Sequence, residues 1–135
     1  LKLNAERIEG TNAITRHSLE GVVINGQTYT RSVVVPWHGE VFSWAAGGFE
    51  GLSEDDFVHL LALKPELVVF GSGNRLRFAA PRLQRALIDA RIGVETMDTA
   101  AACRTYNVLL GEGRCVVAAL LFDAAASNTR STATG

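Results

Sequence analysis

A chain of 135 residues with 47% hydrophobic and 20% charged residues has the size and composition of one globular domain with a real core, not of a chain disordered throughout. Thirteen basic residues against 14 acidic ones leave a net charge of −1, which argues against a strong electrostatic footprint for nucleic acid or an anionic membrane. Two cysteines, Cys103 and Cys115, make no secreted disulfide framework, and the longest apolar run, Val116 to Phe122, is far short of the roughly 20 residues that span a bilayer.

The first residues, Leu1-Lys2-Leu3-Asn4-Ala5-Glu6-Arg7, lack the apolar stretch and cleavage signature of a signal peptide. The expectation is a soluble, cytoplasmic protein without membrane insertion.

Val22-Val23-Ile24 and Thr28-Tyr29-Thr30 flank Asn25-Gly26, a pair that tolerates the positive φ of a tight hairpin turn. The second arm continues through Ser32-Val33-Val34-Val35 and stops at Pro36, which has no N–H for a ladder. After a turn at Trp37-His38-Gly39, the alternation of Glu40-Val41-Phe42-Ser43-Trp44 predicts a returning strand, so the first third reads as a small β-meander. Trp37 and Trp44 read as packing anchors.

Helical spacing takes over at Ser53, a good cap, with Glu54, Asp55 and Asp56 in the first turn where carboxylates favour the helix dipole. Phe57, Leu60, Leu61 and Lys64 follow on one stripe, and Pro65 ends the helix. Leu67-Val68-Val69-Phe70 reads as a strand covered on both faces. Pro81 opens a second helix, with Leu83, Ala86, Leu87 and Ala90 facing the core and Arg82, Arg85 and Asp89 facing out. Gly93 precedes a short strand, Val94-Glu95-Thr96-Met97. Asp98 or Thr99 caps a third helix over residues 100–110, apolar almost all round and therefore expected to be buried. A strand over residues 115–122 closes the sheet.

This order predicts an α/β fold, a three-layer single domain whose mixed, mostly parallel sheet is flanked by helices, with an N-terminal β-meander layer. The domain is expected over residues 1–122. Residues 123–135, small and polar, are expected to form a disordered tail.

Ligands in open α/β sheets collect beyond the carboxyl ends of the strands. Those ends are Gly71-Ser72-Gly73-Asn74-Arg75 and Met97-Asp98-Thr99, and the right-handed crossover rule places both on one edge if their strands are parallel neighbours. The third helix would then start opposite the glycine loop, with Arg75 and Arg104 near enough to help hold a carboxylate or phosphate. The loop itself is no dinucleotide fingerprint, because Leu76 stands where a third glycine belongs; no Gly-Lys-Ser/Thr follows, and Phe70 and Asn74 rule out a nucleophile elbow at Ser72. A tight structural turn is the plainer reading.

Cys103, in the first turns of the helix, has no histidine near it in sequence and reads as a small core residue before a nucleophile. Arg104, Tyr106 and Asn107 are polar groups on a helix expected to be buried, so they need partners. Structural pairing, Arg104 with Asp98 or with backbone carbonyls and Asn107 with a loop, is preferred over ligand binding. The basic run Arg75, Arg77, Arg82 and Arg85 with Phe78 reads as a solvated face or a protein-binding patch. No Cys/His spacing suits zinc, and Glu50, Glu54, Asp55 and Asp56 do not match a calcium loop, so neither metal nor cofactor is expected.

Gly71-Ser72-Gly73-Asn74-Arg75 with Phe78, then Gly93-Val94-Glu95-Thr96-Met97-Asp98-Thr99, then Ala102-Cys103-Arg104-Thr105-Tyr106-Asn107-Val108-Leu109 form a linked signature, as does the early Gly10-Thr11-Asn12-Ala13-Ile14. From about Gly10 to Phe122 the sequence resembles a family of uncharacterised bacterial proteins related to mitochondrial complex I assembly factor 3 and to the adipogenesis-associated Mth-domain protein. The resemblance implies a three-layer α/β fold with a mixed, mostly parallel sheet and an added β layer; it supplies no settled activity, and the mitochondrial member acts in assembly in place of catalysis. The leading expectation is a non-enzymatic interaction or assembly domain with protein partners, compatible with a homo-oligomer. The alternative is a small anionic-ligand-binding protein or enzyme at the two turns.

Overall fold

The structure, a computed structural model, describes residues 10–123. The N-terminal residues 1–9 and residues 124–135 of the expected tail lie outside the described residues.

The chain begins with a small antiparallel sheet in the order β1 (Ile14–Ser18), β2 (Gly21–Ile24), β3 (Gln27–Tyr29). Asn25 (φ 51°) and Gly26 (φ 88°) make the two-residue turn between β2 and β3, because both positions need the left-handed region. β1 carries little signal of its own: Ile14 is its one buried residue, and its register with β2 shifts between Ile14 and Arg16.

The expected meander is split across two sheets. Beyond Tyr29 the chain leaves the small sheet, and β4 (Val33–Pro36) enters a second, five-stranded sheet in the order β5-β4-β8-β6-β7. The reason lies in Val33, Val34 and Val35, which are all buried; such a strand needs cover on both faces, and a hairpin arm offers one. The returning strand shrinks to β5 (Phe42–Ser43).

Helix α1 (Glu54–Leu61) is capped by Ser53, whose backbone N–H donates to the Asp56 carboxylate at 2.9 Å in a reciprocal capping box. Lys64 turns the chain left-handed (φ 53°) ahead of Pro65. β6 (Leu67–Gly71) then runs through the middle of the sheet, parallel to β7 (Gly93–Met97) on one side and β8 (Val116–Leu120) on the other. Between β6 and β7, a 3-10 turn at Pro81–Gln84 leads into the short α2 (Arg85–Asp89). α2 buries Leu87, but Ala90, expected on the core face, lies past its end and is exposed.

α3 (Thr99–Gly111) links β7 to β8, with the Asp98 carboxylate accepting the Ala101 N–H at its start. It is buried along one face only. Thr99, Ala102, Cys103 and Tyr106 point inward, whereas Val108 is 60% exposed, so its apolar residues overstate its burial. β5, β6, β7 and β8 run in one direction and β4 in the other, so the sheet is mixed and mostly parallel by strand direction.

The alternating pleat divides the core in two. Val34, Val68, Phe70, Val117, Ala119 and Leu121 face α1 and α2, joined by Trp44, Phe57, Leu60 and Leu87. Val33, Val35, Val69, Val116, Ala118 and Leu120 face α3 and the small sheet, joined by Ile14, Val22, Ile24, Ala102, Cys103 and Tyr106. The connection from β6 steps outward through α2 on one face, and the connection from β7 steps back across β6 through α3 on the other. A reversed step needs the opposite face to keep the same hand.

Candidate functional site

Gly71 pairs with Met97 in the parallel ladder, so the glycine loop and the start of α3 do sit side by side at one edge of the sheet. The Thr99 N–H donates to the Gly73 carbonyl at 2.9 Å, and a Cβ on Gly71 would stand 3.0 Å from the Thr99 Cα. Close approach of backbone to backbone is therefore the reason for glycine at 71.

The polar residues of the loop turn inward. Ser72 is fully buried; its hydroxyl donates to the Arg75 carbonyl at 2.7 Å and accepts the Arg77 N–H at 2.9 Å, closing the loop on itself. The Thr99 hydroxyl accepts the Gly73 N–H at 2.8 Å and donates to the Leu121 carbonyl at 2.7 Å, tying the loop, α3 and the end of β8 together. Gly73 sits at φ 107°, and a side chain there would collide with the Asp123 carboxylate and the Arg77 guanidinium.

Asp123 went unread as a site residue, and Arg77, expected on a solvated or partner-binding face, turns inward to meet it. Arg77 lies 4.5 Å above the Phe49 ring, donates to the Ser72 carbonyl, and pairs with the Asp123 carboxylate at 3.0 Å. Asp123 also accepts the Asn74 N–H at 2.9 Å. By composition Asp123 falls at the head of the expected tail, yet it is held by the loop on two sides. The available signal was an acidic residue just past a buried strand, in a chain with an acid-free arginine run.

The second turn is just as internally engaged. Asp98 caps α3 and makes no ion pair with Arg104; the expected Arg104–Asp98 pairing is absent, because the carboxylate points at the helix N-terminus while Arg104 lies more than one turn along and is exposed. Arg75 is also exposed, and neither arginine makes an ion pair among the described residues. Cys103 is fully buried; burial pushes its thiol up to about 12, against a small opposing pull from Arg104. His59 sits on α1 across the main sheet from Cys103, so it brings no base to the thiol.

Tyr106 and Asn107 reach toward the N-terminal segment. The fully buried Tyr106 hydroxyl lies 2.7 Å from the Asn12 carbonyl and 3.0 Å from the Pro36 carbonyl, and burial alone raises its pKa. The Asn107 amide donates to the Ile14 carbonyl at 2.7 Å and accepts the Ile14 N–H at 3.0 Å, so one side chain pairs with β1 as a neighbouring strand would. Asn12 continues the seam, donating to the Pro36 and Gly39 carbonyls and accepting from Asn25. Gly10-Thr11-Asn12-Ala13-Ile14 and Arg104-Thr105-Tyr106-Asn107 thus belong together: they dock the small sheet onto the main domain.

One concavity remains at the two turns. An open cleft of about 250 Å3, its volume counted out to solvent, lies between Ser18 and Leu19 of the β1–β2 turn and Gly73, Asn74 and Asp98–Ala100. That is below the roughly 300–1,000 Å3 of most small-molecule sites. Asp98 brings negative charge to its wall. Of the N–H groups opening α3, those of Thr99 and Ala101 already have acceptors. No group of His, Cys, Asp and Glu among the described residues has the arrangement to hold a metal ion.

Comparison with known proteins fits this architecture. Bovine NADH dehydrogenase [ubiquinone] 1 alpha subcomplex assembly factor 3 is 35% identical over 111 residues, which cover 80% of this chain and 59% of the relative. The chain therefore spans well under two thirds of that relative's length. A crystal structure of a Bordetella parapertussis protein superposes with a TM-score of 0.80 at 32% identity, covering 86% of this chain and 99% of that one. A solution structure from Bordetella pertussis, described as an Mth938-like domain, gives 0.75 at 26% identity, covering 95% and 98%. Residues 14–121 match the model of a family described as a protein of unknown function, DUF498/DUF598, and the chain belongs to that family.

Proposed function

We propose that this chain is a non-enzymatic protein-interaction or assembly factor, which helps to build a complex of the NADH dehydrogenase type by binding one of its protein components. The observation that carries this reading is the internal engagement of both turns. Ser72, Asp98, Thr99, Tyr106 and Asn107 are hydrogen-bonded within the fold, and Cys103 is buried with its thiol pushed up to about 12. Side chains used in this way hold a shape; they are not poised to transfer protons or attack a substrate. The assembly-factor relative supplies the partner class. The reading places the protein in the bacterial cytoplasm, and no helix among the described residues is long and apolar enough to cross a membrane.

Affinity capture of the tagged full chain from its native host tests this, together with native gels of the respiratory complexes after gene deletion. Subunits of an NADH dehydrogenase complex are expected to co-purify repeatedly, and the assembled complex is expected to fall on deletion. Clean captures with an undiminished complex would sink the reading.

A second reading is a small anionic ligand held between the turns with Arg75 and Arg104 as its cations; the cleft there gives it space, but Asp98 stands in its wall and neither arginine does. A thermal-shift screen of phosphates, nucleotides and carboxylates tests it, with Arg75→Ala as the control. An unshifted melting temperature across the screen, or a hit indifferent to Arg75→Ala, removes it.

A further inference from the structure

The segment that follows β6 has a property that neither turn explains. From Gly71 to Ile88 it carries four arginines and no acidic residue, in a chain whose net charge is −1. The first acid after it, the exposed Asp89, stands one turn from Arg85 at the end of α2 and makes no ion pair with it among the described residues. Asp123 neutralises Arg77, and among the described residues Arg75, Arg82 and Arg85 have no ion-pair partner. Large apolar side chains stand exposed among them: Phe78 at 70%, Leu76 at 53% and Ile88 at 55%. Arg77 turns inward onto Phe49 and Asp123, while Leu76 and Phe78 on either side of it are exposed. Phe78 and Arg82 are four positions apart, so their Cα atoms are within about 14 Å. Arg85 and Ile88, three apart on α2, share a helix face.

We infer that this surface is where the protein docks a partner, and that the docked element is an acidic protein segment carrying a bulky apolar anchor. The inference rests on the assembly reading and specifies its binding face. Arginine with exposed phenylalanine and no lysine is the composition of a protein interface: guanidinium groups grip carboxylates with two parallel hydrogen bonds, and an aromatic side chain anchors the centre. Anionic lipid is a poorer match, since recognition of a charged membrane takes clusters of about 4–8 basic residues, and α2 with five residues is too short to lie in an interface. Nucleic acid is poorer still, with a sequence pI near 6.3 and a single exposed aromatic on the face.

The test uses the purified full chain and a short fluorescein-labelled peptide in which glutamates and aspartates flank a central Leu-Trp pair, read by anisotropy. Phosphatidylserine vesicles and single-stranded DNA form the other arms. Saturable peptide binding is expected, weakening with salt and falling by about tenfold or more in Phe78→Ser and in the double variant Arg82→Glu/Arg85→Glu. Arg82→Lys/Arg85→Lys, which keeps the charge and loses the paired hydrogen bonds, should fall between. All the changes are at exposed positions, and unchanged circular-dichroism melts will certify folding. Absence of peptide binding up to about 1 mM, binding indifferent to these substitutions, or tighter binding to vesicles or DNA overturns the inference. A wild-type chain that binds the peptide but captures no respiratory-complex subunit overturns the assembly reading and leaves the surface standing. Substituted chains that still capture those subunits do the reverse.

Discussion

The two faces of the five-stranded sheet are built by different means. The face under α1 and α2 is held by rings: Trp44, Phe57 and Phe70 meet edge-to-face with centroids 5.6–5.9 Å apart. Its one conspicuous polar contact is the Trp44 indole N–H donating to the Asp56 carbonyl at 2.8 Å. The face under α3 is built mainly of aliphatic side chains, Val33, Val35, Val69, Ala118 and Leu120 among them, and its register is set by Tyr106, Asn107, Asn12 and Asn25. Area-driven packing supplies stability without much direction, whereas hydrogen bonds with defined partners fix where a mobile piece must sit. The small sheet, whose strands hold three to five residues each, buries Ile14, Val22 and Ile24 on the α3 side and draws that second kind of support from Tyr106 and Asn107.

The comparison breaks most visibly at its aromatic side. Phe57→Ala removes a fully buried ring that contacts both Trp44 and Phe70, and is expected to cost about 3–5 kcal/mol of global stability. Urea melts followed by tryptophan fluorescence and by circular dichroism should shift together. A loss under about 1 kcal/mol would show that the aromatic cluster is not the keystone of its face.

On the other side the expected signature is local. Asn107→Leu leaves the Ile14 N–H and carbonyl without their partner, and should cost about 2 kcal/mol. Amide hydrogen exchange should accelerate in β1–β3 while β6 and β8 stay protected, since opening the seam frees the small sheet and not the core. Uniform acceleration across both sheets would mean that the small sheet is not a separate unit. Tyr106→Phe keeps the ring in place and removes one hydroxyl, so its effect should be smaller, about 1 kcal/mol, with the same regional pattern.

This division also explains what could be read in advance. The Asn25-Gly26 turn, the Ser53 cap and the Leu67–Phe70 strand are legible because each is decided by neighbours in sequence. The Arg77–Asp123 pair spans 46 positions, Tyr106 reaches a carbonyl 94 positions away, and β4 finds β8 from the other end of the chain. Nothing local marks those partners, so β4 reads as a hairpin arm and Asp123 as tail. For the candidate site, only the adjacency of the glycine loop and the second turn was legible, from the two strand ends. Its chemistry was not, because whether Ser72, Thr99 or Asn107 faces a ligand or a backbone carbonyl depends on contacts that only the folded chain makes.

The smallest effect concerns Cys103, which lies on the hydrogen-bonded face yet behaves as an apolar residue. Its thiol ordinarily titrates near 9 and is raised to about 12 by burial, with Arg104 pulling weakly the other way. The folded state therefore holds its proton more tightly than the unfolded chain does. The sign follows: the stability linked to this group is complete below about pH 9, and is lost progressively as pH climbs toward about 12. At pH 10 the loss should be about 1–2 kcal/mol. Cys103→Ala should flatten that part of the alkaline limb, once its own small cavity cost is subtracted at neutral pH. Tyr106 is shifted in the same direction at higher pH, so the comparison belongs between about pH 9 and 10. Identical alkaline slopes for the two proteins would show that the buried thiol ionises freely. That would restore Cys103 as a candidate nucleophile and weaken the case that this face of the molecule is built only to hold its shape.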